Sequence, residues 1–166
     1  MMRKSLFIIA LVYSCLLCAA DFVPESRWIT ASEGNVDAEN TWIAFRKDIT
    51  LGSIPMKVEA SIAADSKYWL WINGEMVVFE GQLKRGPTPK DTYYDKVDIT
   101  PFLKKGNNEV AVLLWYFGKS GFSHNSSGKS GLLFSAQAIG LYSSSLWICQ
   151  ILATSQKFGR MSIISN

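Results

Sequence analysis

Apolar and polar residues alternate with a period of two along most of this chain, the pattern of strands buried on one face. Over Met56–Asp65, Met56, Val58, Ala60 and Ile62 point one way and Lys57, Glu59 and Ser61 the other. Thr41–Leu51 repeats the pattern, with Ile43, Phe45 and Ile49 against Ala44, Arg46 and Asp48. Lys67–Glu80 reads KYWLWINGEMVVFE, two apolar runs about Asn73-Gly74. That dipeptide supplies the two φ > 0 residues of a type I′ turn, so the segment predicts a tight hairpin. A two-residue turn sets Ile72 opposite Glu75 and pairs Leu70 with Val77 and Tyr68 with Phe79 on one face. Trp71 with Met76 and Trp69 with Val78 then share the other face, and Lys67 meets Glu80. Both faces are apolar, which places the hairpin inside a sheet used on both sides. Glu109–Phe117 (EVAVLLWYF) is apolar on both faces as well and is expected centrally, beside the hairpin.

Tyr93–Ile99 and Leu132–Ala138 read as two further strands, and Thr100–Leu103 as a single turn. Three polar stretches separate these elements: Asp21–Asn40, with Trp28-Ile29 as its apolar anchor, Gly81–Thr92, and Gly118–Gly131. About seven strands, long loops and no amphipathic helix predict an all-β, antiparallel β-sandwich of jelly-roll type.

The two ends depart from this pattern. Residues 1–20, MMRKSLFIIALVYSCLLCAA, have a basic start, an apolar run from Leu6 to Leu17 and small residues before Asp21. This is the form of a secretory signal peptide, too short for a comfortable membrane span, and it predicts a secreted or periplasmic protein cleaved after Ala19 or Ala20. Lipidation at Cys15 or Cys18 is the weaker reading, because Tyr13 and Leu17 stand where small residues belong. Cleavage leaves Cys149 alone, so no internal disulfide is expected. From Ile139 to Asn166 the chain turns serine-rich and apolar, with Lys157 and Arg160 its only charges. The expected organisation is a signal peptide over 1–20, a sandwich over 21–138, and an irregular tail over 139–166, read as the product of a frameshift or truncation near Ala138, with a terminal strand plus a packed segment as the competing reading.

Composition excludes some functions. With 48% hydrophobic, 13% aromatic and 19% charged residues, the chain is globular. Its formal charge of +3 falls to +1 once the first 20 residues are removed, which leaves no electrostatic footprint for nucleic acid or an anionic membrane.

Catalytic chemistry finds little support. Glycoside hydrolysis needs two carboxylates flanking the bond. Asp91, Asp95 and Asp98 are the densest acidic group, but they stand where Asp commonly satisfies turn backbone. His124 is the only histidine, and its neighbours Ser120, Ser123, Ser126 and Ser127 lie in one loop without a strand–turn–helix elbow. One His without paired Cys offers no metal site, and Gly118, Gly121 and Gly128 lack phosphate-loop spacing, so no catalytic residue, metal or cofactor is expected. Carbohydrate binding is better served: sugars stack their CH faces on Trp while amides and hydroxyls pair with their hydroxyl groups. The candidates are Trp69 and Trp71 with Lys119, His124 and Asn125 of the Lys119–Ser127 loop. The competing reading has these Trp residues covered by loops or by a docked domain. Asn125-Ser126-Ser127 also fits a glycosylation acceptor.

Three segments together, ENTWIAFRKDITL, ADSKYWLWINGEMVV and YYDKVDITPFLKKGNNEVAVLLWYFGKSGFSH, resemble the N-terminal β-sandwich domain of bacterial α-L-rhamnosidases, glycoside hydrolase family 78. The resemblance runs over about residues 28–138. The NG hairpin and DITPFLKKGNNEVAV are shared with galactose-binding-like accessory domains of other glycosidases, including β-galactosidases. WYFGKSGFSHNSSGKSGLLF is what points to rhamnosidases. The resemblance implies a galactose-binding-like sandwich without catalytic residues, since catalysis in that family belongs to a later (α/α)₆ barrel to which nothing here corresponds. Some sandwiches of the family bind rhamnose with calcium, but no acidic cluster matches such a site. The implied role is a non-catalytic accessory fragment of a secreted α-L-rhamnosidase-like hydrolase. Its implied partners are the catalytic domain of the same parent and a plant or microbial glycan containing rhamnose or galactose. The alternative is a stand-alone carbohydrate-binding module or lectin-like protein.

Overall fold

The computed structural model describes residues 21–153 except 84, 85, 87, 89 and 90, so the expected signal peptide and residues 154–166 lie outside the described residues. The strands are β1 (Thr41–Leu51), β2 (Glu59–Asp65), β3 (Lys67–Ile72), β4 (Glu75–Gly81), β5 (Asp95–Asp98), β6 (Gly106–Tyr116), β7 (Gly131–Ala136), β8 (Leu141–Tyr142) and β9 (Ile148–Ala153). They form two antiparallel sheets, one ordered β4-β3-β6-β1-β9 and the other β5-β2-β7-β8. The all-β sandwich read from the sequence is the observed architecture, and β6 lies at the centre of the larger sheet, between β3 and β1.

The inward residues of both sheets close one core. Ile43 and Phe45 of β1, Leu70 and Ile72 of β3, and Val110, Val112 and Leu114 of β6 face Ala60, Ile62 and Ala64 of β2 and Leu132, Phe134 and Ala136 of β7. Strict alternation of buried and half-buried positions along β3 and β6 follows from the two-residue period of the pleat.

Four expectations need correction. Met56 does not point inward: it precedes β2 and is fully exposed, because alternation that starts before the ladder has no sheet to bury it. The expected strand Tyr93–Ile99 shortens to Asp95–Asp98, leaving Tyr93 and Tyr94 exposed. The hairpin starts in the expected register, with Ile72 opposite Glu75 and Trp71 opposite Met76, and then shifts. Leu70 pairs with Val78 and Tyr68 with Gly81: one extra residue of β4 is accommodated between Met76 and Val78 and a second between Val78 and Gly81, where Glu80 adopts φ 57°. Gly81 is fixed by this arrangement: a Cβ there would lie 2.3 Å from Cζ of Tyr68. Lys67 still reaches Glu80, at 2.8 Å.

The fourth correction concerns the tail. Residues 139–153 do not hang off the sandwich: β8 extends the smaller sheet beside β7, and β9 pairs with β1 from Arg46 to Trp42. Leu141 and Trp147 enter the core, and the Trp147 ring lies 5.5 Å from that of Phe134. The serines that blur the pattern serve backbone groups. Ser143, fully buried, donates its hydroxyl to the Arg27 carbonyl at 2.7 Å and accepts the Phe134 N–H at 3.0 Å.

Candidate functional site

The outward face of the larger sheet carries the chain's aromatic concentration. Outward parity on β3, β6 and β1 presents Trp69 and Trp71, Leu113 and Trp115, and Trp42 and Ala44, all half-buried. Trp42 and Trp115 are cross-strand partners and stack at 4.9 Å with an interplanar angle of 9°. Trp42 also meets Trp69 at 5.6 Å, reaching over β6 to β3, and Phe79 sets its edge against Trp69. The row continues through Phe117, edge-on to Trp115 at 4.5 Å, and ends at His124, edge-on to Phe117 at 5.1 Å. Rings stacked on each other present fewer free faces to a sugar, so this end of the face is chiefly a packed aromatic surface.

Sequence reasoning named Trp69 but missed Trp42, Trp115, Phe79 and Phe117. The signal was available: Trp42 shares parity with the outward Ala44 and Arg46, and Trp115 stands out of phase with Val110, Val112 and Leu114.

The loop from Gly118 to Ser130 is pinned at several points. Asp65, buried at the end of β2, accepts the Ser127 N–H at 2.8 Å and the Ser127 hydroxyl at 2.7 Å. Asp37 accepts the Ser130 N–H at 2.7 Å, and Lys119 pairs with Glu39 at 3.2 Å. Asn125 donates to the Gly86 carbonyl at 3.4 Å. His124 is buried, and its Nε2 has no hydrogen-bond partner among the described residues.

Of the five residues expected to bind sugar, Trp69 and His124 lie along one aromatic row, and Lys119 and Asn125 are engaged by Glu39 and Gly86. Trp71 stands apart. It sits two residues nearer the Asn73-Gly74 turn and enters none of these ring contacts. Its cross-strand neighbours are Met76 and Ala111, and Ala111 is flanked on its other side by Arg46. Arg46 Nη2 pairs with Glu109 Oε2 at 2.7 Å and with Asp48 Oδ1 at 3.3 Å. Beside them opens a shallow cleft of about 690 Å³, lined by Thr50, Asn73, Lys104, Asn107 and Asn108 along with the three charged residues.

The acidic residues weighed for catalysis serve turns. Asp98 accepts the Thr100 hydroxyl at 2.6 Å and the Thr100 N–H at 3.0 Å, bonds that hold its carboxyl below the usual range. Asp91 accepts the Thr88 hydroxyl at 2.7 Å. Asp95 accepts the Tyr68 hydroxyl at 2.8 Å and the Gln82 N–H at 2.9 Å. Burial, with the Asp95 charge beside it, pushes the Tyr68 phenol up. Burial likewise raises the Cys149 thiol, which makes it a poor nucleophile. Among the described residues no group of three or more His, Cys, Asp or Glu side chains is placed to hold a metal ion, and no helix is long and apolar enough to cross a membrane.

No family profile matches the chain, and no curated protein does. Solved structures match it. A GH78 family rhamnosidase of Bacillus sp. GL1 superimposes with a TM-score of 0.63 and 30% identity, over 78% of this chain and 14% of that one. The α-L-rhamnosidase of Aspergillus terreus matches at TM-score 0.57 and 24% identity, over 77% of this chain and 17% of that one. That of Streptomyces avermitilis, complexed with L-rhamnose, matches at 0.54 and 21%, over 75% and 12%. The chain therefore spans 12% to 17% of the length of these three enzymes. In sequence and in fold, it is similar to a β-sandwich portion of glycoside hydrolase family 78 rhamnosidases, over about three quarters of its own length.

Proposed function

We propose that this chain is the non-catalytic accessory sandwich of a secreted α-L-rhamnosidase-like glycoside hydrolase, supporting the catalytic unit and contacting carbohydrate. The observation that carries this reading is the match to the Bacillus enzyme, which covers most of this chain but one seventh of that enzyme. The engagement of Asp91, Asp95 and Asp98 by turn and hairpin groups supports a role outside the chemical step. The aromatic row from Phe79 to Phe117 supports packing against the rest of such an enzyme, because a contiguous, largely half-buried apolar patch that still meets water is costly.

The test has two parts. The purified chain is expected not to turn over an aryl α-L-rhamnoside. The remainder of a family enzyme, expressed without its own sandwich, is expected to gain activity or thermal stability when this chain is added. Turnover by the chain alone, or no effect in trans on any family member tried, overturns the reading.

A further inference from the structure

We propose that the outer face of the larger sheet holds a subsite for one neutral saccharide ring, between Trp71 and the Arg46–Glu109 ion pair, with Ala111 as its floor. The inference rests on the carbohydrate-contact part of the reading above and assigns it a place. Trp71, Ala111 and Arg46 are consecutive cross-strand neighbours on β3, β6 and β1. Two strand spacings separate the backbones of the outer pair by roughly 9–10 Å, and the position between them, Ala111, contributes only a methyl group. A sugar ring fits that gap with a CH face toward the indole, which the other tryptophans leave unstacked.

The opposite wall supplies polar chemistry. Glu109 offers carboxylate acceptors and Arg46 guanidinium donors, held 2.7 Å apart, a combination that pairs with adjacent sugar hydroxyls. Asp48 and Glu109 balance Arg46 and Lys104, so the wall favours a neutral ligand over a phosphate or a carboxylated sugar. The adjoining cleft, with the Thr50 hydroxyl and the Asn107 amide, gives room for a second ring. Its base is held by the hydrogen bond from Asn73 Nδ2 to Asn108 Oδ1, at 2.9 Å, so little order has to be imposed on binding.

The experiment titrates the purified chain with methyl α-L-rhamnopyranoside and methyl β-D-galactopyranoside, following backbone amide shifts by NMR. Binding of at least one glycoside is expected, with a dissociation constant on the order of 1 mM for so small a ligand. Shifts should centre on Trp71, Ala111 and Glu109. Ala111→Leu fills the gap with an outward side chain that a strand tolerates, so it should keep the thermal midpoint while weakening binding at least tenfold. Glu109→Gln should weaken it too, and Lys119→Ala, at the far end of the face, should leave it unchanged. Binding that survives Ala111→Leu, or that falls with Lys119→Ala instead, overturns the subsite. Absence of binding by the folded chain to both glycosides also overturns it and leaves the accessory reading standing, since that is judged by rescue of the catalytic part.

Discussion

Asn73 and Asn108 lock the hairpin turn to the start of the central strand. Asn73 Nδ2 donates to Asn108 Oδ1 at 2.9 Å and to the Phe102 carbonyl at 2.7 Å, while Asn73 Oδ1 accepts the Glu109 N–H at 3.1 Å. Asn108 in turn accepts the Lys104 N–H at 2.8 Å and donates to the carbonyls of Lys104 and Gly106. Two sequence motifs read as separate turns are thus one hydrogen-bonded joint.

Asn73→Gly keeps a residue suited to the turn's φ of 54° and removes only the side-chain bonds. Asn73→Ala loses both. Urea unfolding should therefore show Asn73→Gly destabilised by about 1–2 kcal/mol and Asn73→Ala by roughly 1 kcal/mol more. Equal losses would show that the turn conformation contributes nothing separable.

Tyr68 sets an alkaline limit. Its phenol is raised in the folded state, so its contribution is complete below about pH 10, where an unfolded tyrosine titrates, and is lost as pH rises above that. Near-ultraviolet circular dichroism should hold to about pH 10 and fall above it, and the fall should be shallower in Tyr68→Phe, which has no phenol at this position to ionise. Tyr68→Phe leaves Asp95 with the Gln82 N–H and should cost about 1–2 kcal/mol at pH 7.

Gly81 is the most sharply constrained glycine in the hairpin. Gly81→Ala forces a methyl into the Tyr68 ring, and a loss of about 2–4 kcal/mol is expected in thermal unfolding. The double variant Tyr68→Leu with Gly81→Ala should recover part of it by removing the obstructing ring.

Asp65 holds the Gly118–Ser130 loop through Ser127. Asp65→Ala removes the acceptor that both Ser127 bonds share, so limited proteolysis should cut within that loop many times faster than in the native chain. Global stability should fall by about 1–3 kcal/mol. An unchanged cleavage pattern would show that the other anchors suffice.

The sequence revealed whatever depends on local periodicity. The I′ turn at Asn73-Gly74, the central place of β6 and the two-sheet architecture follow from alternation and from apolar runs used on both faces. The bulge in β4 was hidden because a register shift leaves Val77, Val78 and Phe79 looking like an ordinary strand. The structural role of residues 139–153 was hidden for a different reason. Ser143 pairs with the backbone of Arg27 and Phe134 across the fold, and such long-range bonds make a buried segment look like a polar loop. At the candidate site, the aromatic residues were visible but their mutual stacking was not, since it depends on which strands lie side by side.

One edge of the larger sheet has a practical consequence. β9 reads ICQILA, without charge or proline, and among the described residues no strand lies beyond it. Its outward Ile148 and Leu152 are exposed. Such a border invites a neighbouring molecule to extend the ladder, so concentrated preparations should form intermolecular ribbons, and Gln150→Lys should raise solubility by placing a charge where a second chain would have to dock.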